Sequence, residues 1–490
     1  MSTGSYIDGE WITPASERRL RNVNPADTDD LIAEFPLATA ADAERAIAAA
    51  DRAFASWRRV PAPERGRVLW RVADLARERA EEIARTMTRE EGKVLAESRG
   101  EVAKGIALLE YYAGAGFRLG GRTLPSEAAD TFTYTLRQPL GPVGLIAPWN
   151  FPWAIPVWKA APAIVAGNTV VLKPATLTPA TASLLVELFA EAGLPAGVLN
   201  MVVGSGREVG EAIVASAAIR AVSFTGSNAI GQSLYAKAAS RGIKVTCEMG
   251  GKNPVIVMPD ADLDKAAVAI HGGAFGSTGQ RCTATSRVVA VGERTEAELI
   301  ERLTASAEAM VIGPGLDESS QLGPAVDEDQ LRTDLDYVEI GRREGARLVT
   351  GGGRPQGLDR GYFVQPTIFD RVTPGMRIFR EEIFGPVLAI SRARDLERAI
   401  EQANAVDFGL TTSIFTRDID AAMRYVDAAE TGMVHVNEPT VGGEAQLPFG
   451  GIKATGIGDR EMSEEGVNFF TELKTVFVNY SGRADRSMLR

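Results

Sequence analysis

The stretch from Gly141 to Glu248 constrains the fold most, because short apolar runs alternate there with segments of helical periodicity. Such runs are typical of strands buried in a parallel sheet, and apolar residues spaced three and four apart are typical of helices. Repeated strand–helix units fold into a parallel doubly wound α/β sheet. We predict strands at Val143–Ala147, Thr169–Lys173, Leu199–Val203, Ala221–Phe224 and Lys244–Glu248, joined by helices at Trp153–Ala166, Thr181–Ala192, Arg207–Ala215 and Ile230–Ser240.

A second α/β region is predicted from about residue 253 to about residue 437. Ahead of the first region, the sequence predicts a strand pair at Ser5–Ile12 and helices at Ala41–Ala55, Pro61–Glu91 and Ala103–Phe117.

Two further segments are strand-like ribbons, Gly120–Gln138 and Phe470–Tyr480. The first alternates at period two through Thr131–Leu136, a pattern that indicates a strand. Pairing with another chain and pairing within an internal hairpin are equally compatible with this pattern.

Composition narrows the class of protein. The 490 residues carry a net charge of −11 and no marked basic run, which argues against a nucleic-acid partner. There is no apolar run of about 18 residues and no secretory leader pattern, so we expect a cytoplasmic protein that does not insert into a membrane. Two cysteines and two histidines make a disulfide framework or a zinc finger improbable.

The two cysteines lie in different contexts. Cys247 ends a strand-like apolar run, so we interpret it as a buried hydrophobe. Cys282 lies in Gly279-Gln280-Arg281-Cys282-Thr283-Ala284, where an adjacent Arg and exposed backbone N–H groups are expected to favour the thiolate. A lone carboxylate, Glu248, begins the Gly-rich turn after the last predicted strand. Cys282 is a candidate nucleophile and Glu248 its candidate base.

A nucleotide site is predicted without the usual Gly-rich fingerprint. Ser227 in Phe224-Thr225-Gly226-Ser227 is placed near a helix N-terminus, where free N–H groups favour phosphate. The alternative is a serine that caps the helix. Lys173 ends a predicted strand and is placed for a nucleotide ribose or phosphate, or else is an ordinary surface lysine.

Several motifs recur in the order and spacing of one family. They are Pro148-Trp149-Asn150-Phe151-Pro152, Lys173-Pro174-Ala175, Phe224-Thr225-Gly226-Ser227, Glu248-Met249-Gly250-Gly251-Lys252, Gly279-Gln280-Arg281-Cys282, Glu381-Glu382-Ile383-Phe384-Gly385-Pro386 and Pro448-Phe449-Gly450-Gly451-Ile452-Lys453. Together they resemble the aldehyde dehydrogenase superfamily over essentially the whole chain.

The resemblance implies catalytic roles. Cys282 would attack the aldehyde carbon, and Asn150 with the backbone N–H of Cys282 would hold the oxyanion. Hydride would leave to a nicotinamide dinucleotide, and Glu248 would activate water to hydrolyse the thioester. Lys159 would lie near the proton path, and no metal is expected. Glu248 argues against coenzyme A as acyl acceptor, and the intact catalytic set argues against a non-catalytic relative.

The resemblance also implies a cofactor site. Lys173 would hold the adenine ribose, Ser227 the pyrophosphate and Glu382 the nicotinamide ribose, with Phe384 packed near the nicotinamide ring. The other expected cofactor positions are Ile146, Ala147, Pro148, Trp149, Ala175, Thr176, Gly206, Phe224, Thr225 and Gly226. Relatives that prefer NAD often have Glu where this chain has Thr176, so NADP is favoured here, with NAD or dual use left open.

For the substrate, the resemblance places Arg281, Phe151 and Thr283 in the aldehyde tunnel. Arg281 is suited to bind an anionic tail through two hydrogen bonds, or else pairs with a nearby carboxylate. The segment around Cys282 is similar to that of 2,5-dioxopentanoate (α-ketoglutaric semialdehyde) dehydrogenases, which predicts a small anionic semialdehyde. Succinic semialdehyde and glyceraldehyde 3-phosphate remain alternatives, and Gly276 leaves a broad or aromatic aldehyde specificity open.

The resemblance implies three parts. They are a Rossmann-like cofactor domain in residues 1–120, 140–250 and 438–469, an α/β catalytic domain in residues 251–437, and a small β oligomerisation arm in residues 121–139 and 470–490. The arm predicts a homo-oligomer, either a dimer or a tetramer.

Overall fold

The structure is a computed structural model that describes residues 2–482. Its strands, in chain order, are β1 Ser5–Ile7, β2 Glu10–Ile12, β3 Arg19–Asn24, β4 Asp27–Pro36, β5 Thr123–Leu124, β6 Thr131–Pro139, β7 Pro142–Ile146, β8 Thr169–Lys173, β9 Leu199–Met201, β10 Ala221–Thr225, β11 Lys244–Glu248, β12 Asn253–Val257, β13 Thr285–Val291, β14 Arg347–Thr350, β15 Thr367–Asp370, β16 Val387–Ala393, β17 Phe408–Gly409, β18 Thr411–Phe415, β19 Met433–Val436, β20 Ile452–Lys453, β21 Gly456–Ile457 and β22 Thr471–Asn479.

The helices are α1 Ala40–Trp57, α2 Ala62–Glu78, α3 Ala80–Glu91, α4 Leu95–Ala115, α5 Ala154–Ala166, α6 Pro179–Glu191, α7 Glu211–Ala215, α8 Asn228–Ser240, α9 Leu263–Phe275, α10 Glu293–Glu308, α11 Glu328–Arg343, α12 Arg377–Arg380, α13 Leu396–Asn404, α14 Ile419–Ala428 and α15 Ser463–Phe469. A π-helical turn, Gly206–Gly210, precedes α7, and a 3-10 turn, Gly276–Gly279, follows α9.

The predicted parallel sheet is confirmed. Its strands run in the order β2-β1-β9-β8-β7-β10-β11-β21, and the five from β9 to β11 are parallel. Apolar clusters cover both faces, one built on α2 to α6 and the other on α1, α7 and α8. Because the strands are parallel, their carboxyl ends at Ile146, Lys173, Thr225 and Glu248 meet at one edge of the sheet.

The second region forms a separate sheet in the order β14-β15-β16-β13-β12-β18-β19, parallel except for β14. β11 ends at Glu248 in the first sheet and β12 begins at Asn253 in the second. The turn that carries the candidate base is therefore also the link between the two sheets.

The internal hairpin is confirmed for the first ribbon, since β5 and β6 pair antiparallel, but neither sequence interpretation predicted that β6 would also pair with the second ribbon. β6 pairs along its whole length with β22, more than 300 residues later in the same chain, and β5 covers the other edge of β6. The result is a small three-stranded sheet whose strands come from the two predicted arm segments. Residues 483–490 of the predicted arm lie outside the described residues.

Two local predictions need correction. The single helix predicted for Pro61–Glu91 is two helices, because the backbone at Arg79 leaves helical geometry (φ −104°, ψ 19°) between α2 and α3. The hairpin of β3 and β4 was missed: its two strands are joined by Pro25 and Ala26 and interrupted by bulges that break the alternation.

Strands of the first sheet come from residues 5–12, 142–248 and 456–457, and those of the second from residues 253–436. This distribution is compatible with the predicted domain boundaries, which stay a prediction. Among residues 2–482, no helix has the length and apolarity needed to cross a membrane.

Candidate active site

The loop of Cys282 and the turn after Glu248 are in contact. Asn253, the first residue of β12, donates from Nδ2 to the backbone carbonyls of Cys282 and Ala284, both at 2.8 Å. The two segments singled out in the sequence therefore form one site at the joint between the sheets.

Two glycines permit this close approach. A Cβ atom on Gly250 would overlap the carboxylate of Glu382, which accepts a hydrogen bond from the Gly251 N–H at 2.8 Å. Gly279 has a positive φ of 69°, and a Cβ there would overlap the carbonyl of Gly385. These glycines let the 382–385 segment pack directly against both parts of the site.

The Cys282 side chain is partly exposed, whereas Cys247 is buried as predicted. Burial, together with the carboxylates of Glu248 and Glu382, raises the pKa of the Cys282 thiol to about 12. The expectation that Arg281 would favour the thiolate is therefore wrong for this structure. The guanidinium of Arg281 is paired with Glu97 at 3.0 Å, and burial outweighs the opposite influence of Lys104 and the Thr283 N–H.

Asn150 lies beside the nucleophile loop and donates from Nδ2 to the Gln280 carbonyl at 3.0 Å. The carbonyl of Asn150 accepts from Lys93 Nζ at 2.6 Å, and Lys93 also donates to Glu101 at 2.8 Å. Glu101 in turn accepts from the N–H groups of Trp153 and Ala154, at 2.9 and 3.0 Å, near the start of α5. Asn150 is therefore fixed from both sides.

Sequence reasoning missed Lys93 and Glu101. Both are almost fully buried, although charged residues beside or within a helix normally indicate a solvated face. Neither residue belongs to a recognised motif. Their ion pair could be predicted only from the way the helices pack, which the sequence pattern does not give.

Glu248 is buried at the end of β11, and its Oε2 has no hydrogen-bond partner within residues 2–482. Burial raises its pKa well above the usual range, and Glu461 adds to the shift, while Lys159 and Arg460 oppose it. Lys159 Nζ donates to Ser223 Oγ at 2.6 Å and is paired with Glu461. The sequence pointed to Lys159 but not to its partner, which lies 302 residues further along.

A cavity of about 680 Å³ opens at the carboxyl edge of the first sheet. Every predicted cofactor position lines it except Pro148, Glu382 and Phe384. The positions that do so are Ile146, Ala147, Trp149, Lys173, Ala175, Thr176, Gly206, Phe224, Thr225, Gly226 and Ser227. Residues of the π-helical turn, α7 and α8 complete the wall and were not predicted, among them Arg207, Glu211 and Lys237.

The polar groups of this cavity fit a nicotinamide dinucleotide. Thr225 Oγ1 is buried without a partner in the described part of the chain. Ser227 stands at the N-cap of α8, but its hydroxyl makes no capping bond, so the capping alternative is not realised. Burial lowers the pKa of Lys173 to about 8, and its ammonium donates to the Pro174 carbonyl at 2.9 Å. A helix N-terminus beside an ammonium group is suited to phosphate and ribose.

Glu382 contacts the turn after Glu248, and Phe384 contacts a residue of the large cavity. Burial raises the pKa of Glu382 to about 7, against the opposing Gly251 N–H and Lys252. Phe384 contacts Trp149, a residue of the large cavity, with ring centroids 5.5 Å apart in an edge-to-face arrangement. The 382–385 segment therefore contacts the wall of the large cavity through Trp149.

A second cavity, of about 280 Å³, contains Cys282 in its wall together with Phe151, Arg281 and Thr283. Arg281 donates to Glu97 and to Ser277 Oγ, at 3.0 and 2.9 Å, so the alternative of a paired arginine is realised. A Cβ on Gly276 would lie 3.2 Å from Glu97 and 3.5 Å from Arg281. This ion pair fills the space beside Gly276, which removes the reason for expecting a bulky aromatic substrate.

The chain belongs to the aldehyde dehydrogenase family, because the sequence model of that family matches residues 11–476. It is 47% identical over 479 residues to the alpha-ketoglutaric semialdehyde dehydrogenase of Bacillus subtilis, covering 97% of each chain. It is 45% identical over 484 residues to the 2,5-dioxopentanoate dehydrogenase of Saccharolobus solfataricus, covering 98% of this chain and 100% of that protein.

Solved structures have the same fold. The betaine aldehyde dehydrogenase of Staphylococcus aureus in complex with NAD+ superposes with a TM-score of 0.96 at 33% identity, covering 99% of this chain and 96% of that one. The family and fold predicted from the sequence motifs are thus confirmed.

The high thiol pKa predicts how Cys282 reacts in the protein without cofactor. Because the thiolate is the nucleophile, alkylation by iodoacetamide should accelerate continuously from about pH 7 to about pH 10. Mass spectrometry of the Cys282 peptide measures the rate, with the buried Cys247 as an internal control that should stay unmodified. A plateau reached by about pH 8 would contradict a pKa near 12.

Proposed function

We propose that this protein oxidises an aldehyde to a carboxylic acid with NAD(P), using Cys282 as the nucleophile. One observation carries the proposal: a single short segment contributes to both cavities. Ile146, Ala147 and Trp149 line the large cavity, Phe151 lines the cavity of Cys282, and Asn150 lies between them in sequence and bonds to the nucleophile loop. Cofactor and aldehyde would be brought together at this segment.

In the proposed reaction, Cys282 Sγ bonds to the aldehyde carbon, and the thiol proton is released to solvent. The Asn150 amide and the Cys282 backbone N–H stabilise the oxyanion of the thiohemiacetal. Bound NAD(P) supplies the hydride acceptor. Loss of hydride from the same carbon leaves a thioester on Cys282, and water attacks it to release the acid and restore the thiol.

Glu248 is proposed as the base for water. Its raised pKa and unpartnered Oε2 suit a group that takes up a proton during the reaction. The buried Lys159–Glu461 pair acts on the pKa of Glu248, which Glu461 raises and Lys159 lowers. This interaction supports a place for Lys159 on the path of that proton.

Replacing Glu248 by Gln tests this function. Hydrolysis should slow by about 100- to 10,000-fold, the usual range for loss of a general base, so acyl-enzyme should accumulate. Intact-protein mass spectrometry after mixing with aldehyde and oxidised cofactor would show the added acyl mass. The double variant that also carries Cys282→Ala should show no added mass. Unchanged turnover in Glu248→Gln would contradict the role of this carboxylate.

For the substrate, we propose a small anionic semialdehyde such as 2,5-dioxopentanoate. Two relatives at 45 and 47% identity are named as dehydrogenases of this semialdehyde, which supports the class, and so do the cationic groups in the wall of the Cys282 cavity. A neutral aldehyde is the second candidate, because Phe151, Trp158 and Phe449 line the same cavity. The sequence also predicted that Arg281 holds the anionic end of the substrate. This stays a prediction, and such binding would compete with the ion pair between Arg281 and Glu97.

For the cofactor, we propose NADP or NAD, with NADP favoured. Thr176 offers no negative charge to repel a 2′-phosphate, and Arg207 lines the same cavity without an ion-pair partner among residues 2–482. NAD use is supported by the NAD+ complex of the Staphylococcus aureus relative.

Thr176→Glu should therefore move the preference towards NAD. A carboxylate at this position would repel the 2′-phosphate and accept hydrogen bonds from the ribose hydroxyls. We expect the ratio of kcat/KM for NADP over NAD to fall about 10- to 100-fold. Initial rates from the absorbance of the reduced cofactor give the ratio. An unchanged ratio would contradict the placement of Thr176 at the ribose.

We further propose a homo-oligomer, a dimer or a tetramer, formed through the small sheet. β22 is an edge strand there, and apolar side chains on it are exposed, with Phe477 at 70% and Leu473 at 53%. Exposed apolar edge strands are suited to pairing with another chain.

Phe477→Glu should weaken this assembly, because it would bury a charge at the interface. The dissociation constant should rise by at least about 30-fold, as for loss of a central aromatic contact. Analytical ultracentrifugation measures it, with Val268→Glu as a control at an exposed site on α9. Equal behaviour of the two variants would exclude the small sheet as the interface.

A further inference from the structure

Among residues 2–482, one cationic side chain in the wall of the Cys282 cavity, Lys104, has no ion-pair or hydrogen-bond partner. Lys104 lies in the middle of α4, and Glu97, Gly100, Glu101 and Lys104 all line this cavity. Residues three, four and seven apart share one helix face, so this face of α4 forms one wall of the aldehyde site. Helical periodicity predicted this helix only from Ala103 onward, and it did not predict what the charged face contacts.

The other charged side chains in the wall of this cavity each form an ion pair. Arg281 is paired with Glu97 at 3.0 Å, and Glu101 is paired with Lys93 at 2.8 Å. Within residues 2–482, Lys104 has neither an ion pair nor a hydrogen bond to its ammonium group. Lys104 is therefore the charged residue of this wall that has no ion pair within residues 2–482.

The surroundings of Lys104 are poor at solvating that charge. The residue is half-buried, and the one favourable contact recorded for its Nζ within residues 2–482 is a cation–π contact, 5.5 Å from the centre of the Trp158 ring, which compensates the charge only in part. Burial lowers the pKa of Lys104, while Cys282 and Glu101 partly oppose the shift. An ammonium ion in such a place is costly unless an anion or water compensates it.

The opposite wall leaves room for an anion. Gly443 faces the ammonium group, and a Cβ on this glycine would lie only 3.4 Å from Lys104 Nζ. Any larger side chain would occupy the space beside the charge. With Gly442 next to it, this loop keeps a gap in front of Lys104 that is part of the same cavity as Cys282.

We propose that Lys104 binds the carboxylate of the semialdehyde and so sets the specificity of the enzyme. This assignment rests on the proposed function. The sequence pointed only to Arg281, whereas in the structure Arg281 pairs with Glu97 and Lys104 is the cation left to meet the substrate. The carboxylate end would face α4 and the aldehyde end would face Cys282. A charge-assisted hydrogen bond would replace the missing partner of the ammonium.

A competing role for Lys104 is to stabilise the thiolate of Cys282, because the two groups interact electrostatically. The two roles differ in what they affect. A group that binds the substrate carboxylate affects only anionic aldehydes and acts mainly on KM. A group that stabilises the thiolate affects every aldehyde and changes the pH dependence of thiol alkylation.

The test compares Lys104→Met with the wild type on two aldehydes of equal chain length, 2,5-dioxopentanoate and pentanal. We expect kcat/KM for 2,5-dioxopentanoate to fall about 10- to 100-fold, mainly through KM, and that for pentanal to be unchanged. The alkylation profile of Cys282 should keep its pH dependence. Lys104→Arg should retain most of the preference for the anion. Lys265→Met removes the same charge from the exposed part of α9 and should change neither substrate.

Equal losses on both aldehydes in Lys104→Met, or an unchanged preference for the anion, would overturn the proposal. Thermal unfolding of each variant verifies that the fold is intact, and Lys104→Gln repeats the measurement if Lys104→Met does not fold. The wild type decides the proposed function separately. If it does not prefer 2,5-dioxopentanoate over pentanal, the semialdehyde assignment fails before any variant is compared.

Discussion

The active site depends on the hydrogen bonds that hold the Cys282 loop at the joint between the two sheets. Asn253 binds two carbonyls of this loop from the second sheet, and Asn150 binds the Gln280 carbonyl from the first. The Gly250–Gly251 turn runs between them and carries Glu248 at its start. Glu248 ends β11, Asn150 follows β7, and Cys282 precedes β13, so short segments anchored on the two sheets preorganise the site.

Buried charge is concentrated around this joint. Lys93 with Glu101 holds the carbonyl of Asn150 and the start of α5, and Lys159 with Glu461 lies behind Glu248. Such pairs contribute little net stability, but removal of one partner leaves an uncompensated charge and is costly. In this protein both pairs orient or bias groups of the proposed reaction. Among residues 2–482, Lys104 and Lys252 both lack such a partner, but only Lys104 lines the cavity of Cys282, and that position supports a role in binding.

Much of the fold could be predicted from the sequence, because the strands of the first sheet are short apolar runs separated by helices. The motifs identified the family and most of the cofactor cavity. Other features depend on contacts across the chain. Lys159 and Glu461 are 302 residues apart along the chain, and the paired strands β6 and β22 are separated by a similar number of residues. The pairing of Arg281 with Glu97 also requires α4 to be in place, and Arg281 is not among the groups that lower the pKa of the Cys282 thiol.

The central claim is that Cys282 and its surroundings oxidise a small anionic semialdehyde. The most direct measurement is the initial rate of reduced-cofactor formation by the wild-type protein, followed by near-ultraviolet absorbance. It would be made with 2,5-dioxopentanoate, succinic semialdehyde and pentanal, each with NADP and with NAD. We expect rapid reduction of the cofactor with the semialdehydes, a much lower kcat/KM with pentanal, and free acid as the product. No reduction with any aldehyde, or a clear preference for pentanal, would contradict it.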